Sequence, residues 1–141
     1  LKFRELDYVS FQMNTVFSIF NYSTITEFYQ YLKDKNIIRR EDWYHSLYLA
    51  VHPNYYSAKS LPRELKVIAA EKANNWALAN RSDGTSLSNL MTDAINFADD
   101  GDSWKDVRES FLMHTKSIDR IRDESFWKTF PELNKLSEIL E

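Results

Sequence analysis

Apolar and polar residues alternate along two stretches of the chain, which is the period of a β-strand with two different faces. In residues 9–21 the apolar face carries Val9, Phe11, Met13, Thr15, Phe17 and Ile19, and the opposite face is substantially polar. In residues 46–52 the apolar face carries Leu47, Leu49 and Val51. Pro53 ends the second strand, because proline has no N–H to donate to a neighbouring strand.

Helical spacing separates these two strands. Thr24 and Glu27 fit a capping box, after which Ile25, Phe28, Tyr29 and Leu32 recur at the period of a helix that should end near Asn36. Strand, helix and strand predict one right-handed βαβ unit with parallel strands. Because two strands make a poor sheet, we expect a missing N-terminal region or a second copy of the chain to complete it.

From Ser60 onward the spacing of apolar residues predicts helices to the end of the chain. A turn at residues 80–84, Gly101 and Pro131 separate them. The predicted buried positions are Leu65, Ile68, Ala69, Ala73 and Trp76, then Leu87, Leu90, Met91, Ala94 and Ile95, then Trp104, Val107, Phe111, His114, Ile118 and Ile121. The predicted fold is α/β and mainly helical, with a βαβ unit over residues 1–60 and a helical region over residues 61–141, forming one compact domain.

Composition narrows the function classes. The 141 residues include no cysteine, which excludes disulfides, thiolate zinc sites and cysteine-ligated clusters within the chain and is compatible with the cytoplasm, where we expect the protein. A net charge of −3 argues against nucleic acid as a partner, and no apolar run is long enough to span a membrane. Because the chain opens with Leu1 close to a strand, we expect a truncated or trimmed product, with a tag-cleavage or numbering artefact as the alternative.

Several polar clusters have a plain structural interpretation. Asp99, Asp100 and Asp102 fail the spacing of a calcium-binding loop, so we interpret them as a solvated link between helices. The histidines His45, His52 and His114 lack metal-ligand spacing, and His114 on an apolar stripe is expected to be a core histidine with one hydrogen bond. Asp119 and Arg122 predict a surface ion pair. Tyr55, Tyr56, Phe126 and Trp127 are expected to pack in the core rather than to stack on bases.

The polar strand face is the strongest functional hint that the residues give. In barrels of parallel strands, helices cover the outside and the carboxyl ends of the strands build the site. On that interpretation Gln12, Asn14, Ser18, Tyr48 and His52 would face a lumen, with Asn21, His52 and Asn54 at its mouth. An ordinary exposed sheet face is an equally good interpretation.

Four phrases, two of which overlap, carry a family resemblance: TVFSIFN (15–21), LYLAVHPNYYSAKSLP (47–62), HPNYYSAKSLPRELK (52–66) and HTKSIDRIRDESFWKTFPEL (114–133). They resemble the C-terminal region of radical S-adenosylmethionine (radical SAM) proteins of the twitch-domain type, Fe–S oxidoreductases of marine bacteria and phages. The first phrase is similar to the fifth barrel strand of these proteins, the second to their sixth strand and the exit from the barrel, and the last two look like phrases near their C-terminus.

The resemblance implies a partial (β/α)6 barrel whose cluster binds a CxxxCxxC loop and cleaves S-adenosylmethionine reductively. This chain departs from that pattern, since it has no cysteine and no counterpart of the first four strands. The chain would therefore bind no cofactor alone, and a 4Fe–4S cluster and S-adenosylmethionine are implied only for a full-length protein. What carries over is one wall of the cavity, with Asn21, His52 and Asn54 on the cofactor side and Gln12, Asn14 and Tyr48 on the substrate side, plus a helical cap. The alternative is a small helical protein–protein interaction module with no catalytic role; a nucleic-acid binder is the weakest option.

Overall fold

Two parallel strands and a series of helices make up the part of the chain that the structure, a computed structural model, describes: residues 5–8, 11–39, 45–82 and 86–138. The strands are β1 (Met13–Phe17) and β2 (His45–Leu49), joined through α1 (Ile25–Asp34). Two 3-10 turns, Asn54–Tyr56 and Ala58–Ser60, lead into α2 (Arg63–Ala79), α3 (Leu87–Asp99) and α4 (Trp104–Arg122). The chain closes with α5 (Phe126–Thr129), the 3-10 turn Pro131–Leu133 and α6 (Lys135–Glu138). The predicted class, α/β and mainly helical with one parallel βαβ unit, is confirmed.

The sheet has the predicted parallel pairing, with Met13 opposite His45 and Phe17 opposite Leu49. Alternation in β1 is also confirmed, because Phe17 is buried while Asn14 and Val16 on the other face are exposed. Both strands are shorter than predicted. Residues 9 and 10 of the predicted first strand lie outside the described residues.

Burial decreases along β2 towards its carboxyl end, so only the first part of the predicted apolar face is covered. His45 is buried and Leu47 is half-buried, but Leu49 and Val51 are exposed. Leu47 and Leu49 do share a face with Phe17, as their register requires. The layer that covers this face includes α3, and among the described residues it stops short of the end of β2.

Helix α1 begins at Ile25 as predicted and ends two residues before the predicted Asn36. It buries Ile25, Tyr29 and Leu32, whereas Phe28, which recurs at the same helical spacing, is exposed. The capping box is also wrong: Thr24 occupies the N-cap without a side-chain hydrogen bond. Glu27 instead pairs with Lys72 of α2. This half-exposed ion pair contributes little to stability.

Helices α3 and α4 follow their predicted stripes closely. The residues they bury include Leu87, Met91, Ala94, Ile95, Trp104, Val107 and Phe111, as expected. Leu90, His114 and Ile118 are half-buried at the margins. Ile121 is 77% exposed, so its predicted burial is wrong. In the described ranges no helix combines the length and the apolar character needed to cross a membrane.

Helix α2 buries a different face from the one predicted. Its buried side is lined by alanines, Ala69, Ala70, Ala73 and Ala77, together with Lys66, and Ile68 is 67% exposed. Leu65 and Trp76 are only half-buried. Small side chains let two helix backbones approach closely, and α3 is the helix that α2 contacts most. Close packing of the alanine face thus prevails over burial of the larger isoleucine.

Candidate functional site

The open face of the sheet brings together the residues predicted on the substrate side. Asn14 lies opposite Ser46 and Val16 opposite Tyr48, so these side chains share one face. Gln12 extends the same face, and its Nε2 donates to Asn14 Oδ1 at 3.1 Å. Gln12, Asn14 and Tyr48 are exposed. In the part of the chain that the structure describes, no third strand joins the sheet.

The predicted residues at the mouth have different roles. Asn21 closes the turn after β1, since its Nδ2 donates to the Val16 carbonyl at 2.8 Å and its Oδ1 accepts the Ser18 N–H at 2.9 Å. Ser18 was expected to face a lumen, but it is 8% exposed and its Oγ accepts the Phe20 N–H at 3.3 Å. The amide of Asn21 is therefore used within the turn, and Ser18 does not belong to the open face.

His52 and Asn54 are exposed beyond the carboxyl end of β2. The Asn54 carbonyl accepts a hydrogen bond from Ser60 Oγ at 2.8 Å. The segments that follow β1 and β2 meet there, because the Ile19 N–H donates to the Tyr56 carbonyl at 3.0 Å. The structure thus places both loops at one edge of the sheet, although the predicted side chains themselves form no hydrogen-bonded cluster.

A cavity of about 310 Å³ lies at this junction and was not predicted. Aromatic rings from the two loops and from the chain after α4 form one wall: Phe20, Tyr56, Phe126 and Phe130. Asp119, Arg122 and Glu124 supply its charged groups. Phe20 follows a strand end and Arg122 belongs to the resemblance phrase, but neither signal shows that these residues meet across the fold.

The charged groups of the cavity are arranged differently from the prediction. Both carboxylate oxygens of Asp119 accept the Phe126 N–H, at 2.9 and 3.0 Å, so the predicted Asp119–Arg122 ion pair is wrong. Arg122 forms no ion pair with any other described residue. Burial raises the pKa of the Tyr56 hydroxyl, Tyr55 raises it further, and the positive charge of Arg122 opposes both. Tyr56 and Arg122 both line the cavity.

The aromatic residues pack as expected. The Tyr56 ring lies 6.5 Å from that of Phe111, and Phe126 lies 5.3 Å from Phe111, both centroid to centroid and edge-on. His114 is half-buried and contacts the rings of Tyr55 and Tyr56 at 5.6 and 5.8 Å. These contacts, rather than the single hydrogen bond that we expected, hold the imidazole.

A second polar centre is buried between α2 and the link from α3 to α4. Lys66 is 2% exposed, and its Nζ donates to the carbonyls of Lys59, Ala98 and Gly101 at 2.7, 2.7 and 2.5 Å. Burial lowers the pKa of Lys66, while the charges of Asp102 and Asp99 oppose that shift. The ammonium uses all three of its protons, so this centre is structural.

The acidic link between α3 and α4 is exposed at Asp99, Asp100 and Asp102, as predicted, and two of these carboxylates accept hydrogen bonds. Asp100 pairs with Lys59 at 2.5 Å, and this bond lowers the pKa of the carboxyl. Asp102 Oδ2 accepts the Arg63 N–H at 3.4 Å. No group of three or more metal-ligating side chains occurs among the described residues.

Comparison with known proteins finds no matching family model, no matching curated protein and no matching solved structure. The resemblance to radical SAM proteins therefore gains no support and stays a prediction.

Proposed function

We propose that this chain is the carboxyl-terminal region of a larger cytoplasmic α/β-barrel enzyme, an Fe–S oxidoreductase of the radical SAM type. It would supply the last two strands of the barrel, one wall of the cavity and a helical cap, and it would be inactive alone. The observation that carries the proposal is the two-stranded parallel sheet with one covered face and one exposed face.

Parallel sheets are normally covered on both faces, and sheets of two strands are seldom stable alone. Here the outer edges meet no further strand among the described residues, and unpaired edges favour pairing with additional strands. The exposed face mixes Gln12 and Asn14 with Val16 and Tyr48, which suits the interior of a barrel whose remaining strands come from elsewhere.

The residues present do not fit an iron–sulfur cluster. Such a cluster is held by cysteine thiolates, and this chain has no cysteine. Any cluster and S-adenosylmethionine would have to be bound by the N-terminal part that we propose. No chemical step is therefore assigned to residues of this chain.

A second candidate, a helical protein–protein interaction module, is favoured by one observation. Large apolar side chains are exposed on α2 and α4: Val67, Ile68 and Leu78 on the first, and Met113 and Ile121 on the second. Apolar surface of this kind marks binding sites for other proteins when it is contiguous. In this case the helices, and not the sheet, would form the interface.

The first test is to sequence the coding DNA upstream of Leu1. We expect an in-frame extension that carries CxxxCxxC and further strand patterns. A stop codon followed by a translation start close to Leu1 would refute the barrel proposal and leave the interaction module.

A pair of matched valines separates the two candidates at the level of the protein. Val16 on the open sheet face is 57% exposed, and Val67 on α2 is 58% exposed. In the monomer, replacing either with aspartate should change the unfolding free energy by only about 0.5 kcal/mol, as for other surface sites. We also expect the isolated chain to dimerise through its sheet, so sedimentation should show a monomer for Val16→Asp and a dimer for Val67→Asp.

The reverse pattern, with Val67→Asp alone disrupting the dimer, would favour the helical interface. A wild-type chain that stays monomeric would show that the expected pairing with a second copy is wrong. In the extended protein, Val16→Asp should reduce stability much more than Val67→Asp, since the sheet face would then be buried. Equal effects there would contradict the barrel proposal.

A further inference from the structure

The cavity of about 310 Å³ occupies the position where α/β sheets bind small molecules. Ligands of such sheets lie beyond the carboxyl ends of the strands, between the loops that follow them. Phe20 follows β1 and Tyr56 follows β2, and both line this cavity. The hydrogen bond from Ile19 N–H to the Tyr56 carbonyl fixes one loop against the other. This placement does not depend on whether further strands complete the sheet.

The apolar wall is continuous. The Phe20 ring lies 4.8 Å from Tyr56 and 5.3 Å from Phe130, and Phe126 lies 5.0 Å from Phe130. At these distances the rings contact one another, whereas a cage for a quaternary ammonium needs rings set apart around a void. The wall is therefore suited to an apolar side group of a ligand rather than to its charged group.

The charges around the cavity are mixed. The Phe126 N–H donates to the Asp119 carboxylate without cancelling its charge, so the cavity is lined by two carboxylates, Asp119 and Glu124, and by the guanidinium of Arg122. A simple anion would be repelled by Glu124, and a simple cation by Arg122. A zwitterion matches both groups at once.

We propose that this cavity binds a free α-amino acid with an aromatic or branched apolar side chain. The ligand carboxylate pairs with Arg122 and accepts a hydrogen bond from the Tyr56 hydroxyl. The ligand ammonium pairs with Glu124, and the side chain lies against the wall formed by Phe20 and Phe130. A volume of about 310 Å³ is at the small end of ligand sites, which suits an amino acid better than a nucleotide.

The test is a titration of the ¹⁵N-labelled chain, followed by NMR, with four probes. L-phenylalanine carries all three groups, 3-phenylpropionate lacks the ammonium, phenethylamine lacks the carboxylate, and L-alanine lacks the apolar group. We expect phenylalanine to shift the amide signals of Thr115 and Thr129, which line the cavity. Each of the other three probes should bind about tenfold more weakly or worse, because each loses a charge-assisted contact or the apolar contact.

Two variants assign the charged groups. Arg122→Gln should weaken phenylalanine and phenylpropionate by about tenfold and strengthen phenethylamine, because it removes a charge that repels a cation. Glu124→Gln should weaken phenylalanine and phenethylamine by about tenfold and strengthen phenylpropionate, because it removes a charge that repels an anion. Arg120→Gln is the matched control, since Arg120 is exposed on the same last turn of α4 but does not line the cavity. Circular dichroism verifies that each variant is folded.

Three outcomes would overturn the proposal. The first is the absence of any shift with millimolar phenylalanine. The second is equal binding of phenylalanine by Arg122→Gln and wild type. The third is tightest binding of phenethylamine, which would make the cavity a cation site. The binding result does not depend on the DNA sequence upstream of Leu1. The amino-acid proposal can therefore fail while the barrel proposal stands, and the barrel proposal can fail while the amino-acid proposal stands.

Discussion

Replacing Lys66 with methionine tests whether one buried cation holds the helical half of the protein together. The Lys66 ammonium bridges three carbonyls: Lys59 before α2, Ala98 in the last turn of α3, and Gly101 in the link after α3. Carbonyls at a helix C-terminus lack partners within the helix and form the negative end of its dipole. The ammonium therefore provides hydrogen bonds and a favourable charge at the same point.

The expected loss can be worked out from these contacts. Methionine keeps most of the length of the side chain but donates no hydrogen bond, so one buried carbonyl and two partly buried carbonyls lose a partner. Each buried acceptor left unpaired costs about 1–3 kcal/mol, or roughly 3–9 kcal/mol for three. Methionine also avoids the free-energy cost of burying a charged ammonium, which offsets several kcal/mol of that loss. A net loss of about 3 kcal/mol in unfolding free energy follows, which is a large part of the 5–15 kcal/mol typical of a domain.

The assay is equilibrium unfolding in urea, followed by tryptophan fluorescence and circular dichroism. Lys72→Met is the matched control, because Lys72 lies on the same helix but makes a half-exposed ion pair with Glu27. The control should lose less than about 1 kcal/mol. If Lys66→Met loses no more than the control, the three carbonyls are satisfied in another way and the reasoning is wrong.

Two further substitutions test the surroundings of Lys66. The Tyr22 hydroxyl donates to the Lys66 carbonyl at 3.1 Å, and burial, with a smaller effect of Asp99, raises the Tyr22 pKa above its usual 10.0. The stability that this shift contributes is present below pH 10.0 and is lost as the pH rises through the folded-state pKa. Urea midpoints measured above pH 10.0 should therefore fall less steeply with pH in Tyr22→Phe than in wild type. Identical slopes would contradict this. In Gly101→Ala the new Cβ would lie 2.5 Å from Lys59 Cγ and 3.1 Å from the Lys59 carbonyl oxygen. Thermal unfolding should therefore show that the unfolding free energy is lower by about 1–3 kcal/mol. An unchanged melting temperature would contradict this crowding.

Periodicity predicted the elements in which large apolar side chains dominate burial. In β1 the alternation places Phe17 in the core and Asn14 in solvent, and in α4 the helical spacing of Trp104, Val107 and Phe111 matches their burial. In these segments the local pattern and the global packing agree. The parallel order of the strands followed from the length of the intervening helix.

Periodicity failed where a distant partner decides the packing. The helical spacing predicted burial of Ile68 and did not include Lys66, whereas the structure exposes Ile68 and buries Lys66. Burial of Lys66 requires the Ala98 carbonyl, 32 residues away, which no local pattern reveals. Capping at Thr24 failed for a similar reason, because Glu27 pairs with a lysine of another helix.

The candidate site was predicted only in part, for the same physical reason. Strand period correctly placed Gln12, Asn14 and Tyr48 on one face. It could not show that the Asn21 amide closes its own turn, which depends on the loop conformation. The cavity depends on Arg122 approaching loops that are far away in sequence, so only the folded chain reveals it.

The carboxyl edge of the sheet is held from two directions, and this bears on whether the cavity is a site. The Ile19 N–H donates to the Tyr56 carbonyl, which fixes the first loop to the second. The Tyr22 hydroxyl donates to the Lys66 carbonyl, which fixes the same loop to α2. Phe20 lies between these two anchors, so its ring is positioned before any ligand arrives. Binding sites need such preorganisation, because a wall that must be ordered on binding lowers affinity. Tyr22→Phe, which removes the hydroxyl that makes this anchor, should therefore weaken phenylalanine binding if the anchor positions the wall, even under conditions in which the variant stays fully folded.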